Sequence, residues 1–207
     1  MGGVKYGPLV RVRPEWDPPA GRLELRFPDG VVVAGKIELD EQVETDFYRI
    51  RVVAGRVVRG PFADALSDFV GAHLRLVRVE DSDFATDVHP ATLLSRASAE
   101  RLVADRDPRR FRMLLELGGC GPFEEDTWQG RLVRAGGALL RVGGPVSRCA
   151  VTTQDPDSGV RDFDTLRAIR DVRGSRADDG KSLDCGVYAE VVEPGCVRVG
   201  DSVTPVS

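Results

Sequence analysis

A chain of 207 residues is long enough to bury a good core, as one domain or as two small ones. Apolar residues make up 42% of it and charged residues 30%, ordinary values for a soluble globular protein, and a formal net charge of −4 carries no nucleic-acid footprint. Four widely spaced cysteines without a CxxC, and only His73 and His89 as imidazoles, argue against structural zinc, an iron–sulfur cluster and a disulfide framework. No signal peptide or long apolar run is legible, so the expectation is a cytoplasmic protein with no membrane and no nucleic-acid partner.

Leu9 to Val12 reads as a strand ended by Pro14. Leu23, Leu25 and Phe27 alternate with Glu24 and Arg26, the pattern of a half-buried strand. Pro28-Asp29-Gly30 supplies a turn and Val31 to Val33 the returning strand of a hairpin. Val52 to Val58, interrupted by Gly55, reads as a short strand pair. Phe62, Ala65, Leu66, Phe69 and Val70 recur at helical spacing, with Gly71 placed as the C-cap. Leu74 to Val79 alternates again. Residues 1–80 thus read as a β-rich domain with one helix, and Asp81 to Asp87 as the linker into a second domain over residues 81–207.

In that second part Ser95 is placed to cap a helix reaching about Ala104. Phe111, Met113, Leu115 and Leu117 alternate, predicting a strand with Arg110, Arg112, Leu114 and Glu116 on its other face. Glu124, Glu125 and Asp126 stand in a row; neighbours in sequence do not converge, so a structural cap before Trp128 is expected rather than acid–base work. Leu132-Val133 and Leu139 to Val142, separated by Gly136-Gly137, read as a hairpin. Its second strand delivers Ser147, Arg148 and Cys149 into a further run; as a strand, Cys149, Val151 and Thr153 would share one face. Asp155 to Gly159 makes a turn. Phe163, Leu166, Ile169 and Val172 mark an amphipathic helix, Gly174 to Lys181 a mobile loop, and Gly186 to Val192 with Val197 to Val203 the closing strands around Pro194-Gly195.

The chemistry centres on Cys149. A thiolate is the reactive and metal-binding form of cysteine, and neighbouring positive charge favours it; Arg148 is adjacent in sequence. On residue types alone, the commoner fate of a lone cysteine is a small buried hydrophobe. The fork-shaped donor of Arg112 suits a pterin or phosphate, a surface arginine being the plainer alternative.

Three stretches occur in order that together resemble the C-terminal part of the MOSC domain family: PFEEDTW from Pro122, SRCAVTTQDPDSG from Ser147, and GVYAEVVEPGCVRVGD from Gly186. The resemblance covers roughly Asp87 to Val206. It implies an α+β, mainly β fold, a MOSC-type β-barrel preceded by a partial β-rich MOSC N-terminal domain. In the family the cysteine of the Arg-Cys pair ligates molybdenum held by a pterin dithiolene, so the resemblance makes Cys149 the metal ligand of a molybdenum cofactor (Mo-molybdopterin) and a catalytic residue. It puts Asp87, of Asp87-Val88-His89-Pro90, against the metal pocket as a second catalytic residue. Arg112, Ser147, Arg148 and His89 become cofactor-binding candidates, His89 with an ordinary loop histidine as the alternative. A pyridoxal phosphate association is a further expectation. Where the family reads Arg-Phe-Arg-Pro-Asn, this chain has Met113 and Leu114 at the last two positions, and Leu114 has no hydrogen-bonding group.

The activity so implied is a molybdenum-dependent oxidoreductase removing oxygen from an N-hydroxylated small-molecule substrate. No heme, flavin or iron–sulfur motif is legible, so the electrons are expected from a separate reductase. The family's Lys-Ser and Arg phosphate anchor has no counterpart before Lys5, so weak cofactor binding is a further expectation. The alternative is a catalytically reduced MOSC-like protein acting as a cofactor carrier or binding module, which Leu114 and Val146 favour.

Overall fold

The structure, a computed structural model, describes residues 5–47, 51–79, 89–176 and 180–206. The chain divides into two compact units, Met1–Ser82 with Pro156–Val160, and Asp83–Asp155 with Arg161–Ser207.

In the first unit, β1 (Arg13–Asp17), β2 (Arg22–Arg26) and β3 (Val32–Lys36) form an antiparallel sheet, the β2–β3 hairpin turning at Pro28-Asp29-Gly30. The strand expected at Leu9 to Val12 is instead a 3-10 turn over Gly7–Arg11, which Pro8 starts with its fixed φ. Pro14 lies inside β1, tolerated because β1 is an edge strand. A second antiparallel sheet holds β4 (Glu38–Phe47), β5 (Arg51–Arg59) and β6 (Val77–Val79). Gly55 does not break β5 into a strand pair. A Cβ there would stand 2.7 Å from Val77 Cγ1 and 2.9 Å from the Arg78 carbonyl, so glycine lets β6 approach. Helix α1 (Phe62–Val70) ends on Gly71 in the left-handed conformation (φ 67°). Val12, Leu25, Phe27, Val58 and Phe62 make the core, with Phe27 and Phe69 edge to face at 5.4 Å.

The second unit is built on a curled six-stranded sheet of order β12-β9-β10-β11-β7-β8: β7 (Ala91–Ser95), β8 (Leu115–Leu117), β9 (Leu132–Ala135), β10 (Ala138–Ser147), β11 (Asp184–Glu193) and β12 (Val203–Pro205). All pairs are antiparallel except β7–β8. The chain is thus α+β and mainly β, as expected. β7 is buried along its whole length and feeds two cores. Leu93, Val133, Leu140, Val142 and Val187 fill one face; Leu94, Phe111, Ile169, Leu183 and Cys185 fill the other, under helices α2 (Arg96–Val103) and α3 (Thr165–Arg173). Each such side chain fully withdrawn from water contributes about 1.5–3 kcal/mol. Ser95 caps α2 by accepting from the Ser98 N–H at 3.0 Å, and Asp164 caps α3 at Arg167 N.

β10 and β11 do not run in simple register. From Val142 to Pro145 β10 advances three positions while β11 advances two, and from Pro145 to Ser147 β10 advances two while β11 advances three. These bulges bend both strands where β10 gives out beside Cys149. The closing strand is shorter than its alternation suggests: Val197 to Asp201 is a loop, and only Val203–Pro205 pairs, with β9. Residues Asp81 to Asp87, expected as the linker, lie outside the described residues. Among those described, no helix is long and apolar enough to cross a membrane.

Candidate functional site

Two short segments, each holding a 3-10 turn, meet on the α2–α3 side of the sheet. The first leaves β10. Arg148 N donates to the Leu183 carbonyl at 2.7 Å, Cys149 is extended (φ −113°, ψ 175°), and a 3-10 turn follows over Ala150–Thr153. The strand expected here does not form, because the threonine hydroxyls turn back on the chain: Thr152 Oγ1 donates to the Cys149 carbonyl at 3.0 Å and Thr153 Oγ1 to Ala150 at 2.7 Å. Cys149 therefore stands at the entry of the turn, exposed.

The second segment replaces the strand expected over residues 109–117. A 3-10 turn over Pro108–Phe111 is capped by Asp107, and Arg112 then takes the left-handed conformation (φ 51°, ψ 41°) before β8 begins at Leu115. An L-residue held there costs on the order of 1–3 kcal/mol, a strain that gathers at functional sites. Phe111 and Met113 enter the core, as the alternation requires, but Arg110 is buried too, in an ion pair with Asp162.

Arg112, Arg148 and Cys149 lie within electrostatic reach of one another. Burial pulls the enclosed Arg148 guanidinium below its ordinary pKa and partial desolvation does the same to the more exposed Arg112, and the Cys149 sulfur opposes that pull in each. Arg148 Nη2 donates to the Phe111 carbonyl and Nη1 approaches Met113 Sδ at 3.3 Å, while its Nε is enclosed with no hydrogen-bond partner among the described residues. Neither arginine has a carboxylate partner among those residues. Cys185, on β11 behind Arg148, is fully buried, and burial pushes its thiol up to about 12 against the pull of Arg148 and Arg173.

Of the remaining candidates, His89 packs against Tyr188 with ring centroids 5.1 Å apart and the rings tilted at 56°, and Tyr188 in turn lies within electrostatic reach of Arg148. Ser147 ends β10 opposite Asp184, exposed, its hydroxyl making no hydrogen bond among the described residues. Asp87 lies outside the described residues. Leu114 is exposed, and its N–H donates to Thr92 Oγ1 at 2.9 Å. Tyr188 and Arg110 were not singled out from the sequence; Tyr188 carries no signal beyond its place in GVYAE, and Arg110 was hidden among three neighbouring arginines.

The acidic row before Trp128 is structural. Glu125 is fully buried and accepts from Ser98 Oγ at 2.8 and 3.1 Å, Asp126 pairs with Arg173 at 2.6 Å, and Glu124 accepts from Gly121 N at 2.8 Å. Among the described residues no three of His, Cys, Asp and Glu converge to hold a metal ion. Cys149 offers one sulfur, so a metal here would arrive with an organic ligand of its own.

Residues 85–204 fit the family model of the MOSC domain, and the chain belongs to that family. It is similar to mitochondrial amidoxime-reducing component 1 of Mus musculus, 35% identical over 135 residues (61% of this chain, 39% of the mouse protein), and to that of Homo sapiens, 34% over 137 residues (62% and 40%). Mitochondrial amidoxime reducing component 2 of Bos taurus is 34% identical over 126 residues, 56% of this chain and 37% of the bovine protein. The aligned stretch thus spans well under two thirds of the length of these relatives.

Proposed function

We propose that residues 85–204 bind a molybdenum cofactor, with Cys149 as the protein ligand to the metal and Arg112 and Arg148 facing the anionic parts of the pterin group. The observation that carries this reading is an exposed thiol beside two guanidinium groups that no carboxylate among the described residues neutralises, one of them with an enclosed N–H that has no hydrogen-bond partner among those residues. An orphaned buried donor costs about 1–3 kcal/mol, and an anionic acceptor would remove that cost. The residues present fit such a group. When bound, the molybdenum centre would supply the two-electron chemistry.

The chain's own residues hold and orient. Cys149 enters the 3-10 turn over Ala150–Thr153, and Arg112, in the left-handed conformation, lies within electrostatic reach of its sulfur. The reaction class is the reduction of an N-hydroxylated small molecule, in which two electrons and two protons release the oxygen as water. The electrons come from a separate reductase, as the relatives named for amidoxime reduction suggest. In this reading residues 1–80 are a MOSC N-terminal-like β domain. Exposed Leu114, where the resemblance reads Asn, favours a second reading: a MOSC-like protein that carries or binds the cofactor without turnover.

The test is molybdenum per chain in protein purified from a cell that makes the cofactor. Cys149→Ser should fall to background and Cys196→Ser should stay near wild type; equal content in the two overturns the assignment. Loaded protein that turns over a benzamidoxime with a chemical reductant supports the enzyme, and loaded protein that does not supports the carrier.

A further inference from the structure

Arg110 is the largest of the fully buried side chains among the described residues. A buried guanidinium must be paired and hydrogen-bonded to persist. Nη1 and Nη2 take the two oxygens of Asp162 at 3.2 Å each, Nη1 also reaches the Thr152 carbonyl at 3.4 Å, and Nε donates to the Asp107 carbonyl at 3.2 Å. Phe163 covers it at 5.6 Å.

These partners belong to the segments that carry the candidate ligands. Thr152 is the residue that closes the turn on the Cys149 carbonyl, through both its N–H (3.2 Å) and its hydroxyl. The Thr152 carbonyl accepts from Thr165 Oγ1 at 2.7 Å as well, and Asp162 N donates to the Thr153 carbonyl at 3.1 Å. Arg110 itself stands in the 3-10 turn that ends by throwing Arg112 into the left-handed region. One guanidinium therefore ties the segment of Arg112 to the segment of Cys149.

We propose that Arg110 is a positioning residue of the Cys149 site, its Asp162-anchored fork clamping Thr152 and so setting where the Cys149 sulfur stands relative to Arg112. It touches no substrate and acts through the turn. Its meaning for cofactor binding rests on the function proposed above; the clamp itself does not.

Two variants separate clamping from folding. Arg110 is fully buried and Asp162 partly so, and replacing such an ion pair by apolar side chains is often neutral for stability, so Arg110→Met with Asp162→Leu, which also frees Arg106 from its 3.4 Å contact with Asp162, keeps a folded unit while losing the tie to Thr152. Arg110→Lys keeps the charge without the fork. In each, amide hydrogen exchange at Thr152 and Gln154 should quicken at least about tenfold relative to the β11 amides, the factor expected for one lost hydrogen bond to a charged group. Molybdenum content should fall in parallel. Asp126→Asn, which weakens a different ion pair, should leave the exchange ratio unchanged. A wild-type ratio in Arg110→Lys or in the double variant, or an equal change in Asp126→Asn, overturns the proposal. The exchange ratio decides it even in protein without metal; absence of molybdenum from the wild type would instead sink the proposed function.

Discussion

Gly195 lies against Gly137: a Cβ on Gly195 would stand 2.2 Å from the Gly137 carbonyl carbon and 2.6 Å from Ala138 N. Gly137 N donates to the Cys196 carbonyl at 2.9 Å, and Asp201 Oδ2 accepts from Arg198 N at 2.8 Å while crowding Gly136. The Pro-Gly-x-x-x-x-Gly-Asp run is thus a brace for the β9–β10 turn. Gly195→Ala should destabilise by about 2–3 kcal/mol, because the neighbouring atoms are backbone and cannot step aside. Gly144→Ala, with nothing within 4 Å, should change stability by less than about 0.5 kcal/mol. Urea midpoints decide, and equal shifts would refute the steric account.

Arg109 and Arg112 are neighbours with different engagements. Arg109 is bound to Asp107 through Nε at 2.8 Å and through its backbone N–H at 2.8 Å, whereas Arg112 has no carboxylate partner among the described residues. Arg112→Ala should weaken cofactor binding by roughly ten- to a hundred-fold, the worth of a charge-assisted bond, and Arg109→Ala should not. Arg112→Gly should lose the cofactor as well yet be no less stable without it, because glycine relieves the left-handed strain. Cofactor titration and thermal melts of the unloaded variants check both halves.

Cys185 links stability to alkaline pH. Its thiol sits at 9.0 ordinarily and at about 12 in the fold, so the native state keeps a proton that the unfolded chain releases. The contribution is fully present below pH 9 and declines between 9 and 12, by about 1.4 kcal/mol per pH unit at most. Cys185→Ala should flatten that decline relative to wild type. Parallel stability curves for the two proteins across this range would contradict the assignment.

Ser98 holds a buried carboxyl group in place. Besides donating to Glu125, Ser98 Oγ accepts from Phe123 N at 2.6 Å and meets Ser95 Oγ at 2.7 Å. Ser98→Ala leaves the fully buried Glu125 carboxylate without that donor and should cost about 2–3 kcal/mol. Thr127→Ala, on an exposed hydroxyl of the same turn, should cost little. Similar midpoints for the two variants would show that the Glu125 contact is dispensable.

Where a segment's partners are local, the sequence was readable. The β2–β3 hairpin follows from alternation and a Pro-Asp-Gly turn, α1 from its spacing and Gly71, and the start of α2 from Ser95. The reading failed where a distant or a very near partner won. Alternation sets Arg110 on the strand face opposite Phe111 and carries no sign of its burial, because Asp162, which draws it inside, lies far along the chain. Residues 150–153 alternate as a strand would, and the alternation carries no sign of the threonine hydroxyls bonding back three residues. Val197 and Val199 alternate and yet are exposed, in a loop held by Asp201. Residue chemistry raises Cys149, Arg148 and Arg112 as candidates and resemblance favours them; what brings them together is a bend in β10 and a left-handed backbone at Arg112, neither of which leaves a periodic trace.

That bend has a consequence for what the strand tolerates. With a side-chain period of two, the additional β10 residue between Val142 and Pro145 decides which way everything after it points. Deleting Gly144 would swing Val146 away from the core it now fills and carry the Arg148-Cys149 pair out of alignment with Arg112. Exchanging Gly144 for another small residue would do neither. Along this stretch composition is free to drift while length is not, and the spacing is kept by a count of residues rather than by any one side chain.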